Sequence, residues 1–213
     1  MRIPIFPLGL VLMPRMPLPL HIFEERYRLM VQYCLQEEQP FAVVLNTGTT
    51  IQSVGCLASI DNVINRYDDG RLDILTVGTE RIRVQEMHED NAYLEADVDI
   101  FQDLPVSADH ATDLDELTET AIEDLRDFAQ MAGYEIDQSM LSELSPEELS
   151  FLLSTTDVFS TEEKQQLIEL RSTTDRLERA ARAIHAGRER RAMTQRIQEI
   201  LGKDNEDINH LFN

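Results

Sequence analysis

The spacing of the apolar residues changes near Pro105, and this change limits the folds that the chain can adopt. Before it, apolar and polar side chains tend to alternate, as in a strand with one buried face. In residues 92–100 the alternating apolar members are Leu94, Ala96, Val98 and Ile100. After Pro105 they recur every three or four residues, as along one face of a helix. The sequence therefore predicts an α+β protein, with a β subdomain in residues 1–104 and a helical subdomain in residues 105–213.

The first half has the pattern of a curved antiparallel sheet that closes into a barrel. Val54–Ile64 and Leu72–Val84 are predicted as long strands, and the Asp69-Gly70 step between them is typical of a hairpin turn. Gly78 interrupts the second strand and indicates a bulge or a tight bend. Shorter strands are predicted at residues 1–7, 41–45 and 92–100.

One helix is predicted in this half, at about Glu24–Glu38, and prolines lead into it. Pro14, Pro17 and Pro19 each fix φ and bias the preceding residue away from the helical region, so this segment is expected to be extended. The apolar residues that follow recur at helical spacing, namely Phe23, Tyr27, Met30, Val31 and Cys34. We expect these side chains to pack on the sheet.

The second half is predicted to be a small helical bundle. Asp113–Met131 has an apolar stripe and ends near Gly133, which suits a C-cap position. Residues 145–148, Ser-Pro-Glu-Glu, form a strong helix start with a capping box. A last, long helix is predicted over residues 161–201, with Gly187 as a weak point.

The chain is strongly acidic, with 40 acidic and 19 basic residues and a formal charge of −21. This charge repels phosphate backbones and anionic lipids, so we expect neither nucleic acid nor a membrane among its partners. Residues 103–163 hold seventeen acids and one arginine, whereas residues 171–196 hold eight arginines and three acids. The arginine-rich helix either binds an acidic partner or packs beside the acidic helices of its own chain. The closeness of the two blocks in sequence favours the second interpretation.

Targeting and redox signals are few. The sequence has no run of about 20 apolar residues, the length that a membrane helix requires. Residues 1–7 are apolar but are interrupted by prolines and lack a small-residue cleavage site, so they predict a strand rather than a signal peptide. Cys34 and Cys56 lie in apolar patterns without C-x-x-C spacing, which indicates buried free thiols and a cytoplasmic location.

A search for catalytic motifs in the sequence finds none. Gly202-Lys203 is followed by aspartate rather than by serine or threonine, so it is not a P-loop. Lys164 and Lys203 are the only lysines, and their polar surroundings do not suit the base of a serine–lysine dyad. The five histidines lack zinc-site spacing. We therefore expect no enzymatic activity, no cofactor and no metal, although a site formed by His21, Cys34 and Cys56 stays open.

Five segments follow one another along the chain: Ile5–Gly9, Pro19–Tyr27, Val54-Gly55, Asp69-Gly70-Arg71, and Val77-Gly78 with Arg81 beyond. Together and in this order they resemble the LON substrate-binding domain, the N-terminal domain of the ATP-dependent Lon proteases. The resemblance implies a PUA-like β subdomain followed by helices, in agreement with the two hydrophobic periods. Lon proteases continue into an ATPase module and a serine–lysine peptidase domain. The resemblance therefore implies a stand-alone LON-domain protein without that chemistry.

The resemblance also implies a non-enzymatic module that binds polypeptide segments or another protein, with a role in proteolysis or quality control. An assembly of several copies stays open. The candidate peptide-binding residues are Pro17, Pro19, His21, Phe23, Glu24, Arg26 and Tyr27. Binding would use apolar surface or strand addition at a sheet edge.

Other hypotheses stay open beside this one. The motif also has a simpler structural interpretation, in which Phe23 and Tyr27 fill the core while Glu24 and Arg26 form salt bridges or cap the helix. A different class of function is an enzyme or small-ligand protein that uses a pocket on the barrel. RNA binding is opposed by the net charge, and the arginine-rich helix is the one place where it could occur.

Overall fold

The computed structural model describes residues 1–105 and 111–210 of the chain. The strands are β1 (Arg2–Leu8), β2 (Pro17–Ile22), β3 (Phe41–Asn46), β4 (Ile51–Arg66), β5 (Leu72–His88) and β6 (Glu95–Phe101). The helices are α1 (Glu25–Gln36), α2 (Ala111–Met131), α3 (Gln138–Ser142), α4 (Pro146–Ser154), α5 (Thr161–Glu169) and α6 (Thr173–His210). Strands thus give way to helices near the predicted division, part of which, residues 106–110, lies outside the described residues together with 211–213.

Five of the strands close into a small barrel. The hydrogen-bonded order is β2-β5-β4-β3-β1-β6, and β6 also pairs with β5. One edge of β5 serves two neighbours, because residues 72–77 pair with β2 and residues 81–88 pair with β6. The expectation of a wholly antiparallel sheet is wrong at one pair, since β1 and β3 are parallel. The intervening β2 and α1 form the crossover that a parallel pair requires.

The predicted turn and bulge in the long hairpin are both confirmed. Gly70 has a φ of +86°, and its amide donates to the carbonyl of Tyr67 at 2.9 Å. The β4–β5 register shifts opposite Gly78. A Cβ atom on Gly78 would lie 2.3 Å from the carbonyl oxygen of Met13, so only glycine lets the β1–β2 loop approach this strand.

Most of the α1 side chains that were predicted to pack on the sheet are buried. Tyr27, Met30, Val31 and Cys34 of α1 lie in the core against the sheet, as expected. The prediction is wrong for Phe23, whose side chain is 62% exposed because α1 begins only at Glu25, after this residue.

The buried face of β6 includes fewer residues than the alternating pattern predicts. Ala96 and Val98 are buried with the inward side chains of β1 and β3. Ile100 is 42% exposed, so the expectation that it shares this buried face is wrong. Val98 is the last buried apolar residue of β6, and beyond it Phe101 is only partly buried against the neighbouring core cluster.

The helical half also follows its predicted pattern at α2 and α4. Buried residues of α2, among them Ala121 and Leu125, pack against Leu149 of α4 and Leu177 of α6. The capping box at the start of α4 is confirmed, and Gly133 takes a φ of +82° after α2. None of the helices in the described part of the chain is long and apolar enough to span a membrane.

The prediction of one long helix over residues 161–201 is wrong, because the helix is interrupted between α5 and α6. Leu170 leaves the helical region with a ψ of 137°, and the Ser172 hydroxyl then accepts the amide of Asp175 at 3.1 Å. The carbonyls of Ile168 and Leu170 accept hydrogen bonds from the guanidinium of Arg81, which stabilises the break.

Gly187 is not a weak point, since α6 continues through it. A Cβ atom there would lie 2.9 Å from Val158 and 3.0 Å from Phe128, so this glycine allows close helix packing.

Several arginines of α6 pair with acids of their own chain, which confirms the favoured interpretation of the charge blocks for this part of the helix. Arg188 contacts Asp124 at 2.7 Å and Asp127 at 3.2 Å. Arg191 contacts Asp157 at 3.2 Å. The basic face therefore helps to hold α6 against the acidic helices.

A buried ionic cluster joins the barrel to the helices. The Asp103 carboxylate accepts hydrogen bonds from Arg81 of β5 and from Arg176 of α6, the latter at 2.6 Å. The Thr173 hydroxyl adds another at 2.5 Å. The two guanidinium groups lie over the ring of Phe151, at 5.2 Å for Arg81 and 3.8 Å for Arg176. All three charged side chains are almost completely buried.

We expect Asp103→Asn to lower the free energy of unfolding by about 3 kcal/mol at neutral pH, because it leaves two buried arginines without their carboxylate. Burial raises the pKa of Asp103, but hydrogen bonds from Arg176 and Thr173 and the two positive charges outweigh burial and lower the pKa overall. The stabilisation is therefore complete above the unfolded pKa of about 4 and is lost as the pH falls through the folded value. Urea unfolding measured from neutral to acidic pH gives the free energy of unfolding at each pH. This free energy should fall less steeply with falling pH in the variant than in the wild type.

The matched control is Glu178→Gln, which breaks the exposed pair between Glu178 and Arg182 within α6. It should change the stability by less than about 0.5 kcal/mol. Equal effects of the two substitutions would contradict the role given to the buried cluster.

Candidate functional site

Three of the candidate residues lie on one exposed face of the sheet. Pro17, Pro19 and His21 alternate along β2 and point away from the core. Their cross-strand neighbours on β5 are Val77, Leu75 and Asp73. Leu75 and Val77 are half-buried, so the prolines extend an apolar strip across the two strands. We call the surface formed by Pro17, Pro19, His21, Leu75 and Val77 the proline face.

Aromatic side chains continue this surface at the end of β2. The His21 ring stacks on Phe23 with 6.0 Å between centroids, and Tyr67 meets it edge-on at 5.9 Å. Asp73 holds the group in place, because it pairs with His21 at 2.6 Å and accepts from Tyr67 at 2.6 Å and Asn65 at 2.9 Å. These hydrogen bonds, first that of His21, lower the pKa of Asp73 to about 2.

The other candidate residues have structural contacts. The Tyr27 ring is buried and lies 4.1 Å from the ring of Phe6. The Arg26 guanidinium covers Tyr27 at 4.5 Å and pairs with Glu24 at 2.7 Å. Glu24 occupies the N-cap position of α1, although its side chain makes no capping hydrogen bond. Within the motif, the exposed members are therefore Pro17, Pro19, His21, Phe23 and Arg26, and Arg26 is already paired with Glu24.

The free edge of β2 is poorly suited to strand addition. Pro17 and Pro19 have no amide hydrogen, so Leu18 and Leu20 supply the amides of the ladder with β5. The backbone groups of residues 17, 19 and 21 then face away from β5, toward the free edge. Of these three residues only His21 has an N–H group. The edge of β4 beyond Ala58, where β3 no longer pairs with it, carries two register shifts. Such bulges interrupt a regular ladder.

A large, mainly apolar concavity lies on the helical half and was not predicted from the sequence. This groove, with a volume of about 890 Å³, runs between α2, α3 and α4 and ends against the β1–β2 loop. Its lining includes Met16, Leu125, Tyr134, Met140, Leu144 and Leu152. Tyr134 is 71% exposed and Met140 is 67% exposed. Apolar side chains are thus presented to solvent around a concave surface.

Ion pairs border this groove. Arg15 contacts Glu148 at 3.2 Å, and Arg191 contacts Asp157 at 3.2 Å. Arg15 has a φ of +66°, which places its side chain over α4 and Met16 in the groove lining. Because these charges already have partners, the surface left for a ligand is mainly apolar.

The cysteine and histidine site left open by the sequence does not assemble. Cys34 and Cys56 are buried free thiols, as predicted, and burial raises both pKa values to about 12. His21 is exposed beside Asp73 instead. Within the described residues, the side chains close enough to share a metal ion are Glu86, His88 and Asp97, on β5 and β6. Sequence spacing did not reveal this group, because it depends on strand register.

A depression on the barrel is small. It has a volume of about 250 Å³ and is bordered by Phe6, Leu20, His21, Phe23 and Asn46, among others. Sites for drug-sized ligands are usually about 300–1,000 Å³ and mostly enclosed. The depression therefore gives little support to the small-ligand hypothesis.

Comparison with known families identifies the fold. Residues 2–186 match the model of the ATP-dependent protease La (LON) substrate-binding domain. This chain belongs to the LON substrate-binding domain family. The matched range includes the proline face, the ionic cluster and all of the groove lining except Arg191. The resemblance noted in the sequence is thus confirmed over most of its length.

Solved LON domains share this architecture. A Lon N-terminal domain protein from Xanthomonas campestris superposes with a TM-score of 0.64 at 23% identity and covers 84% of this chain and 96% of its own. The N-terminal domain of the Mycobacterium avium complex Lon protease superposes with a TM-score of 0.70 at 17% identity, covering 86% and 98%. The strands followed by helices, including the long last helix, are therefore a LON-domain fold.

The curated relatives are much longer than this chain. Lon protease 2 of Syntrophobacter fumaroxidans is 24% identical over 93% of this chain but over only 26% of its own length. Lon protease of Buchnera aphidicola is 22% identical over 84% of this chain and 24% of its own length. The chain thus spans about a quarter of these proteases.

The pair Tyr27→Ala and Phe23→Ala separates structural from exposed members of the motif. We expect Tyr27→Ala to lower the free energy of unfolding by about 3–5 kcal/mol, because it removes a buried ring packed on Phe6. Phe23→Ala removes an exposed ring and should cost less than about 1 kcal/mol. Urea denaturation curves measure both values, and a large loss for Phe23→Ala would show that its ring is structural.

Proposed function

We propose that this LON domain binds apolar polypeptide segments and catalyses no reaction on them. The observation that carries the proposal is the open apolar groove of about 890 Å³, with Tyr134 and Met140 exposed at its margin. Burial of apolar area contributes about 25 cal/mol per Å², so a groove of this kind favours ligands with apolar side chains. Methionine adapts to varied shapes, which suits binding to segments of differing sequence.

The blocked sheet edges support the same mode of binding. A ligand strand could not form a regular ladder along β2, where prolines remove two of the outward amides. Recognition would then depend on side-chain burial rather than on main-chain hydrogen bonds. We expect such a site to select for apolar composition more than for a defined sequence motif.

The proline face is proposed as a second contact surface. Met16 lines the groove and Pro17 begins the proline face, so consecutive residues connect the two surfaces. Phe23 and His21 offer exposed rings at the far end of β2. A segment that extends past the Met16 end of the groove would therefore contact the proline face.

A place in proteolysis or quality control is the further part of the proposal. The curated relatives are Lon proteases, and this chain matches the model of the LON substrate-binding domain. We propose that this chain, in the cytoplasm, holds polypeptides for a degrading or refolding partner. The buried, neutral thiols are compatible with a reducing cytoplasm.

Fluorescence anisotropy with a labelled peptide rich in leucine and phenylalanine tests the groove. We expect Tyr134→Asp and Met140→Asp each to weaken binding about tenfold, or about 1.4 kcal/mol, because a charge would then stand at an apolar contact. Both side chains are mostly exposed, so the fold should be retained.

Ile64→Asp is the matched control, because Ile64 is 53% exposed on β4 and does not line the groove. It should leave the affinity unchanged. Equal binding by the wild type and both groove variants would contradict the groove as the site. Weaker binding by Phe23→Ala would support the second contact surface, and unchanged binding would remove it.

A further inference from the structure

A compact cluster of metal-ligating groups lies on the outside of the barrel, away from the groove. It consists of Glu86 and His88 on β5 and Asp97 on β6. One ligand atom from each of the three lies within 4.8 Å of the others. The His88 Nε2 atom is 2.8 Å from a carboxylate oxygen of Asp97. Strand register, rather than sequence spacing, brings these residues together.

A β-bulge creates this arrangement. The β5–β6 register shifts between Val84 and Glu86, which leaves Gln85 as the extra residue. Without the shift, regular alternation would turn Glu86 and His88 toward the barrel interior and Met87 outward. With it, Glu86 lies directly opposite Asp97, and Met87 packs against the core instead. The bulge therefore places two potential ligands on the same face as the third.

The local charge favours a cation. Positive groups near Asp97 have their own partners: Arg2 contacts Glu95 at 2.9 Å and Asp90 at 3.3 Å, and the terminal amino group of Met1 donates to a backbone carbonyl. Glu86 is exposed, and no salt bridge involves it in the described residues. Two carboxylates and one imidazole are therefore available.

We propose that Glu86, His88 and Asp97 form a zinc-binding site on the barrel. One imidazole nitrogen and two carboxylate oxygens suit Zn²⁺, and water would complete a four-coordinate site. The ion would take the place of the hydrogen between His88 Nε2 and Asp97, and that proton would pass to Nδ1 of the ring or to solvent. Mg²⁺ prefers six oxygen ligands in octahedral geometry and fits this donor set poorly.

Zinc at this position would link β5 to β6, the strand pair that closes the barrel. β6 closes the ring by pairing with both β1 and β5, and the chain then runs from β6 to Asp103 in the ionic cluster. A ligand that binds the folded state alone stabilises it, by an amount that grows with the logarithm of the free ligand concentration over its Kd. Zinc should therefore raise the unfolding temperature of the protein without a requirement for any polypeptide ligand.

Isothermal titration of the full chain with zinc chloride, in the absence of chelators, tests the site. We expect one zinc ion per chain, no matching signal with magnesium chloride, and at least about a tenfold loss of affinity in His88→Ala. Glu86→Gln should weaken binding in the same direction. Because Glu86 is exposed, this variant keeps the test valid if His88→Ala fails to fold.

His21→Ala is the matched control. His21 and Asp73 form a hydrogen-bonded pair much like that of His88 and Asp97, but they have no third metal ligand close by in the described residues. Zinc binding and the zinc-induced rise in unfolding temperature should persist in His21→Ala and disappear in His88→Ala. No binding at millimolar zinc, or equal binding by the wild type and His88→Ala, would overturn the proposal.

Discussion

The carboxylate of Asp103 fixes how the barrel meets the helices. It lies between Arg81 of the barrel and Arg176 of the last helix, and all three side chains are excluded from solvent. A buried charge is costly without a partner, so each arginine needs both the carboxylate and further acceptors. The carbonyls of Ile168 and Leu170, freed where α5 ends, supply them. The helix break and the ionic cluster are thus parts of one arrangement.

This arrangement determines where a ligand can bind. With the helices held on the barrel, the β1–β2 loop reaches α4 through the pair of Arg15 with Glu148, and Met16 enters the groove lining. Gly78 permits the loop to run against β5, since any side chain there would meet the Met13 carbonyl. The proline segment has a double effect: it extends the chain and removes amides from the sheet edge. Apolar surface, rather than strand pairing, is then left for recognition.

Local patterns predicted much of the fold and less of the site. The hairpin at Gly70 and the capping box at Ser145 were predicted because each depends on residues close in sequence. The break after α5 was missed because it depends on Arg81, almost ninety residues earlier in the chain. Phe23 was wrongly predicted to be buried because the apolar residues already have helical spacing from Phe23, whereas α1 begins only at Glu25. The groove was missed because the segment around Met140 has little period of its own and becomes a surface only when the helices pack.

The central claim is that the groove on the helical half receives apolar polypeptide. Methyl NMR of the protein labelled at methionine tests it most directly, because methionines lie both inside and outside the groove. On addition of a peptide rich in leucine and phenylalanine, the signals of Met16 and Met140 should shift. Those of Met1 and Met193, which are exposed elsewhere, should stay in place. Binding that shifts Met1 or Met193 and leaves Met16 and Met140 unchanged would contradict the account.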